Sequence, residues 1–196
     1  AGYILLVPSL LWVLGLCIYQ PVCLPAILPA AGLWLYCKRA RRSQGWLWLG
    51  VVSMCLAYAA LPGPTPVAWQ RPWLKAPQFT LEGDTLTINN LRDYRYRTEE
   101  DSDVRYRTGT YDLATLTGVS FAECHWDGME AICHTMLSFD FEDGRHLVIS
   151  PETRLPEGKE QNAVAGLYKQ YGLLYVFGTE EDIFALRTNY RQEDLL

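Results

Sequence analysis

The stretch HTMLSFDFEDGRHLVISPE, residues 134–152, decides the fold. Two runs of alternating apolar and polar residues flank Glu142-Asp143-Gly144, the pattern of two antiparallel strands joined by a tight turn. Loop length then fixes which residues face each other. A two-residue Asp-Gly turn would set Phe141 across from His146 and split the apolar side chains between both faces. A three-residue loop closed by Gly144 in the left-handed conformation pairs Phe141 with Arg145 instead. It gathers Leu137, Phe139, Phe141, Leu147 and Ile149 on one face. The three-residue loop is expected, because a slip of one residue would bury the wrong set.

The opposite face then carries His134, Met136, Ser138 and Asp140 on one strand and His146, Val148, Ser150 and Glu152 on the next. His134 falls across from Glu152, with Cβ atoms about 4.5–5.5 Å apart. A carboxylate that accepts from one imidazole nitrogen fixes the tautomer and leaves the other nitrogen as a general base. Such a pair is the rear half of a nucleophilic triad, whose front half is a Cys or Ser. Two readings of His134 and Glu152 stand together here: a catalytic pair, or an ordinary cross-strand polar pair on a solvated face.

The remaining candidates carry less. Cys133 adjoins His134 but points to the other side of a strand, which suits a small buried thiol. Cys124-His125 makes a dyad only through an unusual loop. His146 opposite Asp140 reads as surface electrostatics. The series Arg92, Tyr94, Arg95, Tyr96, Arg97, Arg105, Tyr106 and Arg107 is interleaved with Asp93, Glu99, Glu100, Asp101 and Asp103, as on a solvated face. The spacing of Cys124 and Cys133 fits no common zinc pattern, so neither metal nor cofactor is expected, and a disulfide between them has no support in the pattern.

Outward from the hairpin, Thr85–Tyr96 has the β-branched and aromatic content of a strand, and Val119–Trp126 resumes it. Gln161–Tyr171 carries Ala163, Val164, Leu167, Tyr168 and Tyr171 at helical spacing, which predicts a helix ended by Gly172. Leu173–Phe177 reads as a short strand. Thr179 then offers a hydroxyl N-cap, with acids in the first turn of a helix running to about Arg187. The sum is an α+β domain with a mostly antiparallel sheet.

Charge divides the 196 residues more sharply than the totals of 49% hydrophobic and 20% charged suggest. None occurs from Ala1 to Cys37; Lys38, Arg39, Arg41 and Arg42 cluster; a second uncharged run goes from Ser43 to Gln70. Taking those four bases out of the net charge of −5 leaves −9 for the rest. An acidic domain of that kind is unsuited to nucleic acid, whose phosphates demand Lys and Arg surfaces.

A bilayer needs about 17–25 apolar residues per helix. Residues 3–19 and 45–61 meet this, whereas 22–36 is short and holds Pro25 and Pro29, so it is a kinked or re-entrant span. A cleaved signal peptide would not recur three times. The first 62 residues are therefore expected to be a transmembrane region, with the basic loop 38–44 in the cytoplasm by the positive-inside rule. Residues 63–77, with prolines at 64, 66, 72 and 77 and Trp69 and Trp73, read as a stiff stalk. Residues 78–196 form the globular domain beyond it, on the periplasmic side in a Gram-negative cell. The chain opens on Ala rather than Met, as a piece of a longer protein would.

Four segments carry a family likeness: INNLRDYRYRTEED (88–101), TYDLATL (110–116), ICHTMLSFDFEDGRHLVISPETR (132–154) and LYVFGTEEDIFALRTNYR (174–191). In this order they resemble the N-terminal periplasmic domain of the Lnb family of bacterial lipoprotein N-acyltransferases. The resemblance implies thiol-dependent acyl transfer on a relative of papain-like and LRAT-like folds, with phospholipid and a lipoprotein N-terminus as partners and the inner membrane as location. It places His134 and Glu152 at the family's catalytic positions. The family's nucleophile is expected in a downstream Asn-Cys-Thr motif, which these 196 residues do not contain; the domain is accordingly expected to be truncated at its C-terminus. The same His134 and Glu152 would also serve a papain-like peptidase or amidase on cell-wall peptide, and a non-catalytic membrane-tethered recognition module is the third class. Oligomeric state is not legible.

Reporter fusions test the topology. A phosphatase fused at Ser43 is expected to be inactive and one fused after residue 77 active; activity at Ser43 would reverse the orientation.

Overall fold

The computed structural model describes residues 2–20, 68–126 and 129–196, together with positions 32, 35, 36, 39, 52, 55, 56, 58–60, 63 and 64. The chain forms two compact units, one of Ala1–Pro66 with Glu160–Gly172 and the other of Val67–Lys159 with Leu173–Leu196.

In the first unit, helix α1 (Gly2–Tyr19) covers the first expected span. Among the described residues no helix is long and apolar enough to cross a membrane, and the expected spans 22–36 and 45–61 lie mostly outside them. The side of α1 bearing Leu16 packs on Tyr168, with Tyr19 stacked on the same ring at 5.3 Å. Gly15 makes this possible, since a Cβ there would run into the Tyr168 phenol. The helix predicted over 161–171 is a single turn, α2 (Ala163–Gly166), capped by the Asn162 side chain. Helical spacing continues past it, but Lys169 adopts φ 54°, a left-handed conformation that ends the helix before Gly172.

The second unit is built on a sheet of seven strands. In chain order its strands are β1 (Gln78–Glu82), β2 (Thr85–Arg92), then a separate two-stranded pair β3 (Arg95–Tyr96) and β4 (Ser102–Asp103), followed by β5 (Tyr106–Asp112), β6 (Leu116–Trp126), β7 (Met129–Phe141), β8 (His146–Arg154) and β9 (Gly172–Gly178). The order across the large sheet is β1-β2-β9-β8-β7-β6, with β5 also on β2. The described ladders are antiparallel save one, where β2 meets β9 in parallel at Arg92 and Gly178. The α+β class and the antiparallel character are thus as the pattern predicts.

The hairpin takes the three-residue loop. Phe141 N–H donates to Arg145 O at 3.1 Å, Gly144 N–H to Phe141 O at 2.9 Å, and Gly144 sits at φ 78°. The ladder then runs Asp140 to His146, Phe139 to Leu147, Ser138 to Val148 and Leu137 to Ile149. Burial departs from expectation. Of the face expected to form the core, Phe141 and Leu147 are buried with Ile88, Leu91 and Tyr111, whereas Leu137 and its β6 neighbours Val119 and Phe121 are exposed. The face open to a solvated reading is covered: Met136 and Val148 join Ala122, Cys124, Leu174, Val176 and Ile183 in a second core. Its cover is helix α3 (Glu180–Ala185), capped by Thr179 as predicted and continued by a wider π-helical turn, Leu186–Tyr190.

Two further expectations change. Part of the segment read as a stalk packs on this unit: Trp69 bridges Pro156, Trp73 reaches the second core, and Arg154 stacks on Trp69 at 4.4 Å. Indole area buried on an apolar face outweighs the stiffness of the prolines. The Arg/Tyr series is not uniformly solvated either. Arg92 is 4% exposed and Tyr94 1%, because Asp182 of α3, fully buried, accepts from Arg92 Nε and Nη2 at 3.0 and 2.9 Å and from Tyr94 N–H at 2.8 Å. Burial opposes the Arg92 charge, but Asp182 overrides it and drives the guanidinium pKa up.

Breaking that pair strands a buried cation. Asp182→Ala is expected to cost about 3–5 kcal/mol in chemical denaturation, and Arg92→Met with Asp182→Leu to recover most of it; a single variant within about 1 kcal/mol of wild type would show the pair to be dispensable.

Candidate functional site

Three adjacent strands bring Cys124, His134 and Glu152 into one row on the covered face. Cys124 is the cross-strand partner of His134 between β6 and β7, and Glu152 Oε1 lies 3.5 Å from His134 Nε2. The register set at Gly144 is what carries His134 and Glu152 to the same side.

Glu152 is not the direct partner of the imidazole. Ser150, fully buried between them, has its Oγ 2.8 Å from His134 Nε2 and donates to Glu152 Oε1 at 2.7 Å. A hydroxyl has one proton to give. Since it goes to the carboxylate, Nε2–H donates to Ser150 and the lone pair of the neutral imidazole sits on Nδ1. Among the described residues Nδ1 has no hydrogen-bond partner. Behind Glu152, Arg187 Nη2 donates to the same Oε1 at 3.3 Å, and its Nη1 to Glu193 Oε2 at 2.9 Å. The result is a chain of polar contacts, Glu193–Arg187–Glu152–Ser150–His134, between the apolar cluster and the buried Arg92–Asp182 pair.

Its electrostatics follow from burial and charge. Burial pushes the His134 imidazole below its ordinary value of 6.5, against the opposing pull of the Glu152 charge. Burial alone would raise the Glu152 carboxyl; the charges on His134 and Arg187 and the Ser150 hydrogen bond more than offset it, so Glu152 titrates below its ordinary value. A neutral base oriented by an ionised acid is the form a proton acceptor needs near neutrality.

Neither cysteine in the domain completes the arrangement. Cys124 stands beside His134, but burial raises its thiol, the reverse of an activated nucleophile. Cys133 pairs with His125 across the ladder and so faces the other side; both thiols are free. His125 follows Cys124 in the same strand, so the two diverge and form no dyad.

A cavity of ≈ 140 Å³ adjoins the row, lined by Trp73, Arg92, Tyr96, Glu152, Arg187 and Arg191 among others. The Trp73 indole nitrogen is buried with no hydrogen-bond partner among the described residues. This space is well under the about 300–1,000 Å³ of ordinary ligand sites; it suits a small polar group and not a fatty acyl chain.

Ser150, Arg187 and Glu193 had no role in the reading of the sequence. Ser150 was legible in principle, on the His134 face two residues from Glu152. Arg187 and Glu193 lie 35 or more residues beyond Glu152 and give no local signal.

The fold and the row define a class: an α+β domain whose sheet carries a largely shielded histidine held by a serine and a glutamate. Residues 102–196 match the family model of the Lnb N-terminal periplasmic domain. No curated protein and no solved structure gives a significant match.

The tautomer and electrostatics are measurable by NMR titration. His134 is expected to titrate below 6.5, and Glu152→Gln, which removes the charge that raises it, to lower it further. Since the unfolded chain takes up the proton first, this histidine costs stability as pH falls below about 6.5. A His134 pKa at or above 6.5, or one raised by Glu152→Gln, would contradict this account.

Proposed function

We propose that this domain is part of a membrane-anchored, thiol-dependent acyltransferase that N-acylates bacterial lipoproteins, with His134 as general base and Glu152 and Ser150 as its orienting partners. The observation that carries the reading is the Glu152–Ser150–His134 contact chain, which leaves Nδ1 of a neutral imidazole without a partner among the described residues. His134 takes the proton of a nucleophilic thiol, and the thiolate attacks the carbonyl of a phospholipid ester. A thioester forms, the lysophospholipid oxygen leaves, and the proton held by His134 goes to it. The free α-amine of a lipidated N-terminal Cys then attacks the thioester; the amide forms and the thiol is restored.

The raised thiol of Cys124 argues against that residue as the nucleophile, which by family resemblance belongs to an Asn-Cys-Thr motif. Both substrates reside in a bilayer. Exposed Leu11, Leu14 and Ile18 on α1, with Val164 and Leu167 in the same unit, favour apolar surroundings for that unit. The 140 Å³ cavity leaves the acyl chain to the membrane or to other parts of the enzyme. Holding catalyst and substrates in one plane raises their effective concentration.

Mass spectrometry of lipoprotein N-termini tests this in cells whose N-acylation depends on the protein. His134→Ala is expected to lower the acylation rate by about 10²–10⁴-fold, and Ser150→Ala to lower it less. Unchanged N-acylation in His134→Ala would sink the assignment.

A further inference from the structure

We propose that Asp140, His146 and Glu180 form a site for one divalent cation, zinc being the best chemical fit, at the loop end of the same covered face. Asp140 and His146 are cross-strand partners on β7 and β8, and Glu180 opens α3. His146 Nδ1 lies 2.8 Å from Asp140 Oδ1 and 3.7 Å from Glu180 Oε1. The three donor atoms all fall within 4.8 Å of one another. Zinc bonds of about 2.0–2.2 Å place tetrahedral donors about 3.3–3.6 Å apart. The pair at 2.8 Å must therefore open slightly and the widest pair close, an adjustment that side chains 32–43% exposed can make.

Charge supplies the second argument. Two carboxylates converge on one imidazole nitrogen, which can carry at most one positive charge, and the Ser138 hydroxyl that donates to Glu180 carries none. Neither is paired with Lys or Arg among the described residues, whereas nearby Asp143 and Glu181 each hold an arginine at 2.6 and 2.8 Å. A cation resolves the excess that one histidine leaves. One nitrogen, two oxygens and an open position match zinc, while magnesium and calcium favour all-oxygen sets.

The surroundings are built to hold these groups. Ser138, 1% exposed, donates to Glu180 Oε1 at 2.7 Å, the kind of outer contact that orients a ligand. Gly118 is the β6 partner of Asp140, and a Cβ there would stand 3.2 Å from Asp140 Oδ2, so glycine keeps that carboxylate uncrowded. Six residues along β7 separate Asp140 from His134, about 20 Å, and Met136 lies between on the same face. The ion would not touch the His134 chemistry. It would clasp the hairpin to α3, whose following turn delivers Arg187 to Glu152.

Cobalt reports on such a site through its visible d–d absorption. The metal-stripped full chain, titrated with CoCl₂ in detergent, is expected to give a saturable band at one ion per chain that ZnCl₂ displaces. Zinc is also expected to raise the unfolding midpoint. His146→Ala and Asp140→Ala, with wild-type far-UV circular dichroism, should abolish the band, and Ser138→Ala should weaken binding by about tenfold. His134→Ala should leave it intact. No saturable band, equal affinity in His146→Ala, or loss of the band in His134→Ala instead would overturn the site.

Discussion

The left-handed turn at Gly144 is the constraint on which the rest depends. A side chain in L-configuration resists that conformation, so the glycine holds the three-residue loop, and the loop alone sets which residues of β7 and β8 face each other. Because side chains alternate with a period of two, shifting the register by one residue would send His134 and Glu152 to opposite sides of the sheet. The same register sets Asp140 beside His146 at the near end. One backbone conformation thus aligns two polar clusters some 20 Å apart, without either touching the turn.

What makes the far cluster chemically different from a surface ion pair is its cover. A solvated His–Glu pair would interact weakly and hold no fixed tautomer. Here α3 lays Ile183 against Ala122, Met136, Val148, Leu174 and Val176 of the sheet, and every polar group beneath needs a partner. Ser150 and Arg187 meet that need for Glu152. The buried Arg92–Asp182 pair does the same for the helix that forms the lid, tying α3 to β2 and the backbone of Tyr94. Such ionic contacts are poor sources of net stability. Their effect is geometric: they allow one docking of α3, and so one placement of Arg187.

Legibility follows the range of each interaction. The hairpin and its register were readable because turn chemistry is local, and so were β9 and the Thr179 cap, each written within a few residues. Which face of the sheet meets solvent was not, since the cover comes from residues 180–196 and alternation cannot say what will pack on either side. The arginine–tyrosine series misleads for the same reason: Arg92 looks like a solvated charge until Asp182, 90 residues on, is folded against it. Around Lys169 the failure has another cause. Apolar spacing records the helical period but not the left-handed residue that breaks it.

The placement of Cys124 argues for where reactivity is withheld. By backbone register it is the neighbour best placed to meet His134, yet it is fully buried, its thiol pKa is raised, and Leu195 bridges its backbone from the outer edge of β6. A thiol needs a partly exposed, electropositive setting to ionise; Arg187 supplies positive charge, but burial, reinforced by Glu193, outweighs it. Nδ1 of His134 has no bond to this sulfur. The imidazole is therefore oriented by Ser150 and Glu152 through Nε2, while Nδ1 has no hydrogen-bond partner among the described residues. Under the proposed function, the thiol served by this imidazole is therefore not Cys124.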